Sequence, residues 1–199
     1  MPKLRSLALK SSLCASLCGS AILGALPTRP TFASSLPKAD AEHSSVSLGS
    51  APSLAVDFAI TPEWTLGAAG GFPILYDGLT NGLGFLRYDV RSSYLLLEKD
   101  KLYIRAIGGL FGDINLRTDV ERELSPYGIE AGIAVAYHFN AYFIGRVNIV
   151  AGIAFPNSTG LGLFAPSGGI EFAFRPYDNF EMIAGFNGNS DLLSVRYIF

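Results

Sequence analysis

The stretch YGIEAGIAVAYHF, residues Tyr127–Phe139, alternates strictly between two kinds of side chain. One set is apolar, with aromatic rings at both ends: Tyr127, Ile129, Ala131, Ile133, Val135, Tyr137 and Phe139. The intervening residues are small or polar, and they include Glu130 and His138. Because successive side chains of a β-strand point to opposite faces, this period of two predicts a strand with one apolar face and one polar face.

The same pattern recurs along the chain, and turn residues separate its segments. In Gly84–Leu97, for example, Arg87, Asp89 and Arg91 share one face and apolar residues occupy the other. Tight connections alternate with longer ones. The tight ones are predicted at 60–64, 98–101, 138–142 and 175–179, and the longer ones at 74–82, 112–126, 156–168 and 187–191. This order predicts an antiparallel, up-and-down all-β fold.

The first 33 residues have the features of an export signal. The apolar stretch Ser12–Leu26 follows a positively charged head, and small residues then occupy the two positions that signal peptidase reads. The charged residues are Lys3, Arg5 and Lys10, and the small ones are Thr31 and Ala33. We predict a signal peptide over 1–33 and a flexible polar leader over 34–43.

The composition excludes several classes of protein. No 18-residue apolar run follows residue 33, so a membrane-spanning helix is excluded there. A formal net charge of −2 without a basic cluster argues against binding to nucleic acid. Both cysteines, Cys14 and Cys18, lie within the predicted signal, so the mature chain has no disulfide or thiolate metal site.

The polar faces of the predicted strands carry charges of both signs in nearly equal number. They contain arginine but no lysine: Asp57, Arg87, Asp89, Arg91, Arg105, Glu130, Arg146, Glu171, Arg175, Glu181 and Arg196. A planar guanidinium binds two carboxylates at once and loses less than an ammonium on dehydration. These residues therefore predict an ion-pair network that fills an enclosed lumen.

Alternation alone does not say which face points outward, because a soluble ligand-binding barrel has the same pattern turned inside out. Four features favour an apolar outer face in contact with lipid. They are aromatic residues near the tight turns, polar faces rich in Gly and Ala, the export signal and the C-terminal Phe199. We predict a closed transmembrane β-barrel over 44–199.

The strand count follows from where the chain ends. Nine strands are clear, whereas single-chain bacterial outer-membrane barrels have even numbers. Because Phe199 leaves on the tight-turn side, one more strand must precede Ser53, and the alternating segment Ser44–Ser50 supplies it. We predict ten strands, with eight as the alternative.

The chain resembles the small, porin-like outer-membrane barrels of the OmpA/OmpX type. The resemblance rests on the export signal, the alternating connections, the Arg/Glu-bearing inner face and the aromatic last strand, and it covers essentially 44–199. It implies an outer-membrane location with the lipid bilayer as partner. The pattern Val195-x-Tyr197-x-Phe199 looks like the signal that barrel-assembly machinery reads in such proteins. A family of this breadth implies no single activity.

No residue pattern predicts catalysis, a metal or another cofactor. We interpret His138 as a hydrogen-bonded lumen or turn residue, and Ser190 in GNSD as part of a turn. The expectation is a non-enzymatic barrel with a largely plugged lumen and a structural or surface-interaction role, binding an extracellular partner through the longer connections. The alternatives are a narrow channel or transporter for small solutes, an outer-membrane lipid hydrolase and a soluble exported ligand-binding barrel.

Overall fold

Ten antiparallel strands close into one barrel in the computed structural model, which describes residues 36–72, 84–117, 127–155, 167–187 and 192–199. The strands are β1 (Ser45–Gly49), β2 (Ser53–Ala59), β3 (Trp64–Gly71), β4 (Phe85–Lys99), β5 (Leu102–Asn115), β6 (Tyr127–His138), β7 (Phe143–Phe155), β8 (Gly169–Tyr177), β9 (Phe180–Asn187) and β10 (Leu193–Ile198). Each strand pairs with its neighbours in sequence, and β1 pairs with β10. The predicted all-β, up-and-down fold with ten strands is confirmed, and the eight-strand alternative is wrong.

The described residues include no helix long and apolar enough to cross a membrane.

Barrel closure depends on the pairing of the first and last strands. Ser45 lies opposite Ile198 and Gly49 lies opposite Ser194. Beyond the ladder, the backbone N–H of Phe199 donates to the carbonyl oxygen of Ser44 over 2.9 Å. The C-terminal strand is therefore paired on both sides, so neither β1 nor β10 presents an open edge.

Local side-chain chemistry shapes the tight turns. Between β6 and β7, the Asn140 side-chain oxygen accepts hydrogen bonds from the N–H groups of Tyr142, at 2.8 Å, and Phe143, at 2.9 Å. Between β4 and β5, Asp100 has a φ of 54°, a left-handed conformation that Asp and Asn tolerate better than most residues. These short connections place the ends of adjacent strands in fixed register.

One predicted long connection is shorter than expected. The sequence predicts a connection over 112–126, but Gly112–Asn115 continue β5 and pair with Phe85–Tyr88 of β4. The inward alternation of β5 extends past Phe111 to Asp113, which is buried. The predicted connection over 74–82, most of that over 156–168 and the segment 118–126 lie outside the described residues.

The barrel has a charged interior and an apolar exterior. Inward side chains of the strands are buried and outward ones are exposed, with the period of two that the sequence shows. Outward Ile149, Phe172 and Leu193 are 64%, 61% and 63% exposed, respectively. The lumen is filled mainly by ionic and small side chains.

The predicted flexible leader over 34–43 needs correction for residues 36–41, which are buried inside the barrel. Ala39 packs in a buried cluster with inward wall residues that include Ile107, Ala134 and Ala136. Residues 42 and 43 are exposed and connect this segment to β1. We call residues 36–43 the leader segment. Residues 34 and 35 and the predicted signal peptide over 1–33 lie outside the described residues.

Replacing Gly185 by Val is expected to destabilise the barrel by about 1–3 kcal/mol, the usual cost of overpacking. A Cβ atom at Gly185 would lie 2.3 Å from the carbonyl oxygen of Ile170 and 2.7 Å from the Cα of Glu171. The measurement is the urea midpoint of the folded protein. Ala184→Val at the exposed neighbouring position is the control, and equal midpoints for the two variants would contradict the packing argument.

Candidate functional site

The structure places the predicted ionic residues on the inner face of the barrel. Ten of the eleven are no more than 4% exposed, and the exception is Arg175, whose side chain is 21% exposed beside the β8–β9 turn. Their ion pairs include a group around Glu181 and a group around Arg91, and two of the residues, Arg105 and Glu130, hydrogen-bond to groups other than the expected ionic partners.

The largest group surrounds Glu181 near the tight turns. Its Oε1 accepts hydrogen bonds from Arg146 Nη2 and Arg175 Nε, each at 2.9 Å, and its Oε2 accepts from Arg196 Nη1 at 3.3 Å. Three guanidinium groups thus share one buried carboxylate. A second carboxylate is needed to balance them, and it comes from the leader segment.

Asp40 of the leader segment provides that second carboxylate. Its two oxygens accept hydrogen bonds from Arg146 Nε at 2.8 Å and Arg146 Nη2 at 2.9 Å, a bidentate pair. Arg175 Nη2 also donates to Asp40 Oδ2, at 3.3 Å. His138 Nε2 lies 3.2 Å from the same oxygen, and the His138 ring lies 5.0 Å from that of Tyr103. His138 is therefore a hydrogen-bonded lumen residue next to a turn.

The rest of the leader segment is held by its backbone and by Lys38. The Lys38 ammonium forms a buried ion pair with Glu171, so the lumen does contain a lysine, although the buried inner faces of the described strands carry none. Asn148 Nδ2 donates to the Pro37 carbonyl oxygen over 2.9 Å. Arg105 donates to the carbonyl oxygens of Ala39 at 2.9 Å and Ala41 at 2.7 Å.

Arg105 has a different role from the one the sequence predicts. Besides the two leader carbonyls, it donates to the carbonyl oxygens of Pro62 and Glu63 and to Thr65 Oγ1. Its hydrogen bonds thus join the leader segment to the β2–β3 turn, and none of them goes to a carboxylate. A guanidinium has five N–H donors in a planar fork, so it can serve several carbonyls at once.

A second group of charges lies farther from the tight turns. Arg91 Nη2 donates to Asp57 Oδ1 over 3.1 Å, and Arg91 Nη1 to Asp89 over 3.3 Å. Arg87 pairs with Asp113 over 3.0 Å. Glu130 accepts from the hydroxyl and, at 3.2 Å, the N–H of Ser167 rather than from an arginine.

Gly67 provides space for this second group. A Cβ atom at this inward position would lie 2.2 Å from Asp57 Oδ1 and 3.2 Å from Arg91 Nε. The absence of a side chain therefore lets the Arg91 guanidinium reach across β3 to the Asp57 carboxylate.

The sequence pattern did not predict several polar residues of the lumen, among them Lys38, Asp40, Asp113, Asn148 and Ser167. Asp113 continues the inward alternation of β5, so extending that strand by four residues would have found it. No periodic signal marks Lys38 or Asp40, because their positions depend on the cavity that the closed barrel provides. Ser190 lies outside the described residues. Within the described ranges, no cluster of three or more His, Cys, Asp or Glu side chains is placed to hold a metal ion.

The proposed assembly residues lie on the outer face of β10 and beyond it. Val195, Tyr197 and Phe199 are all exposed, and the rings of Tyr197 and Phe199 stack with centroids 6.4 Å apart. They therefore belong to the outer apolar surface, whereas Arg196 between them belongs to the lumen.

Comparison with known proteins does not assign a family to the chain. No protein-family model matches it, and no curated protein matches it.

Replacing Glu181 by Gln is expected to lower the free energy of unfolding by about 3–5 kcal/mol, the usual cost of breaking a buried ion pair. The change removes a carboxylate that three guanidinium groups share. Chemical denaturation would measure the loss, with Glu98→Gln at an exposed position of β4 as the matched control. A Glu181→Gln protein as stable as the control would contradict the assigned role of Glu181.

The contribution of Asp40 to stability is expected to depend on pH. Burial by itself raises the pKa of the Asp40 carboxyl, but the Arg146 guanidinium and hydrogen bonds from His138 and Arg146 hold this pKa well below its usual range. A carboxyl with a depressed folded-state pKa stabilises the fold above its unfolded pKa, about 3.9, and loses that contribution as the pH falls toward the folded value.

We therefore expect wild type to be more stable than Asp40→Asn near pH 7, and the difference to shrink as the pH falls below about 4. Urea midpoints of both proteins across this range provide the measurement. Glu42→Gln, at an exposed leader position, controls for general charge effects. If the difference in stability between wild type and Asp40→Asn did not change with pH, the Asp40 charge would not contribute to holding the leader segment in the lumen.

Proposed function

We propose that the chain is a small, non-enzymatic outer-membrane β-barrel with a structural or surface-interaction role, whose lumen is closed by ion pairs and by its own leader segment. The observation that carries the proposal is the distribution of polarity. Arginine and carboxylate side chains are buried inside, and large apolar side chains cover the outside.

This distribution is the reverse of that expected for a soluble barrel. In water, the exposed apolar side chains of all ten strands would form a surface far larger than the patches that monomeric soluble proteins tolerate. In a bilayer, the same surface contacts acyl chains at no such cost. Closure of the barrel also satisfies the backbone hydrogen bonds, which a membrane-spanning sheet requires.

Aromatic side chains at the barrel rims support the same placement. At the tight-turn rim, Phe143 and Phe174 have ring centroids 5.2 Å apart, and Trp64 Nε1 donates to Ser92 Oγ over 2.8 Å. At the opposite rim, Tyr127 at the start of β6 and Phe155 at the end of β7 stack with ring centroids 5.9 Å apart. Membrane-spanning barrels carry such aromatic girdles at both interfaces.

The filled lumen favours a structural or surface role over general diffusion. Porins that pass solutes freely use 16–18 strands, whereas barrels of about eight strands are filled by side chains. Here the wall charges and the leader segment occupy the interior of a ten-strand barrel. The resemblance to small outer-membrane barrels and the export signal agree with this proposal. We also propose that Val195, Tyr197 and Phe199, which are exposed on the outer face, are read by barrel-assembly machinery.

Trp64, the chain's only tryptophan, provides a test of membrane depth. In vesicles containing brominated phosphatidylcholine, we expect bromines near the head group to quench its fluorescence more than bromines near the acyl-chain end, because Trp64 lies on the exposed rim. Absence of quenching by either lipid would contradict the membrane assignment.

Two independent controls accompany this measurement. The folded barrel should migrate differently in detergent gels before and after boiling, and the native protein should fractionate with outer membranes. Recovery in the soluble fraction, without a boiling-dependent shift, would favour the exported soluble barrel instead.

A further inference from the structure

The leader segment occupies the lumen in the way that a bound peptide occupies a receptor. Its contacts come from the inward side chains of β5, β6, β7 and β8, which are far from it in sequence. Its covalent connection to the barrel runs only through the exposed residues 42 and 43 and the short link to β1. The site is therefore made by the wall, and the leader segment is its occupant.

The site contacts both the backbone and the side chains of the leader segment, in which the N–H of Ala41 donates to the carbonyl oxygen of Lys38 over 3.3 Å and closes a turn. Asn148 and Arg105 donate to the carbonyl oxygens of alternate residues, Pro37, Ala39 and Ala41. Between these residues, Lys38 and Asp40 enter ionic sites of opposite sign. A Lys-x-Asp pattern in this turn conformation satisfies both sites at once.

The two ionic sites determine the order in which the positive and negative side chains of the occupant must follow each other. Lys38 pairs with Glu171, and Asp40 pairs with Arg146 and Arg175. Exchanging the two charges would place an acid against Glu171 and a base against two guanidinium groups. Like-charge contacts in a buried site are strongly unfavourable, so the wall discriminates against a reversed charge order.

If the leader segment left the site, polar groups of the barrel wall would be exposed to water. Without the leader segment, Arg105 would lose two carbonyl acceptors and Arg146 would lose the Asp40 carboxylate. Buried polar groups that lose their partners recruit water where there is space for it. Removing six buried residues creates such space within the lumen.

We propose that the lumen wall is a binding site for a Lys-x-Asp peptide in this turn conformation, that residues 36–41 are its removable occupant, and that displacing them opens the lumen to water and small ions. The short link to β1 gives the leader segment a high effective concentration, on the order of millimolar or more for short tethers, so the closed state predominates at rest. The ion-conduction part rests on the proposed membrane location, whereas the peptide-binding part does not.

Peptide binding is tested with a barrel lacking residues 36–41, refolded in detergent. The probe is the capped peptide Leu-Pro-Lys-Ala-Asp-Ala, which has the sequence of residues 36–41. Calorimetry should show saturable binding of one peptide per barrel. The control peptide Leu-Pro-Asp-Ala-Lys-Ala, with the charges exchanged, should bind at least tenfold more weakly. No binding, or equal binding of both peptides, would overturn the proposal.

Ion conduction is tested in planar bilayers. Wild type should remain closed, whereas the barrel lacking residues 36–41 should show steady openings that the Leu-Pro-Lys-Ala-Asp-Ala peptide blocks. A Glu42→Gln, His43→Ala double variant alters only exposed leader positions, so it should stay closed. Steady openings in wild type, or a leader-deleted barrel that stays closed, would overturn the plug assignment.

A full-length variant covers the case in which the deletion protein does not fold. Lys38→Glu should open the lumen by placing two acids together, and adding Glu171→Lys should close it again. A loss of closure that the second change does not reverse would contradict the specific pairing. Peptide binding in detergent by a protein that fails to associate with membranes would reject the proposed function while leaving the peptide site intact.

Discussion

The pairing of buried guanidinium groups is the constraint on which the rest of the structure depends. Arg105, Arg146 and Arg196 are almost completely inaccessible to water. A buried, unpaired charge costs several kcal/mol, so each needs carboxylates or carbonyl oxygens within hydrogen-bond distance. The position of Glu181 among three arginines, the absence of a side chain at Gly67 and the burial of the leader segment in the lumen all follow from that requirement.

Pairing inside the barrel leaves the outside free to be apolar. Because side chains alternate along each strand, placing every charge inward places the large aliphatic and aromatic side chains outward. A one-residue register slip would reverse both faces at once, so the inner ion pairs and the outer apolar surface support the same register. This coupling explains how β1, a short strand with few large side chains, can close the barrel against β10.

The leader segment shares an arginine with the barrel wall, so the stability of the barrel and the closure of its lumen depend on the same side chain. Arg146 is shared between Glu181 on the wall and Asp40 on the leader segment, so the same guanidinium supports the barrel and holds the occupant. Charge-assisted hydrogen bonds of this kind have defined geometry as well as strength. A barrel built in this way has a filled interior at rest, and it contains one segment whose removal does not break any strand pairing.

The sequence by itself determined the strands, their number and their faces, because a period of two and turn residues are local properties of the chain. The inward positions of Arg87, Asp89 and Arg91 could be predicted in this way. The inward position of Asp113 could also have been predicted if β5 had been extended beyond Phe111. Only the tertiary structure decided which charges pair, since the partners of Arg105 and Glu130 lie on other elements. It also decided the position of Lys38 and Asp40. A short polar segment has no preferred structure alone, and it becomes ordered where the closed barrel provides complementary charges and a cavity that buries it.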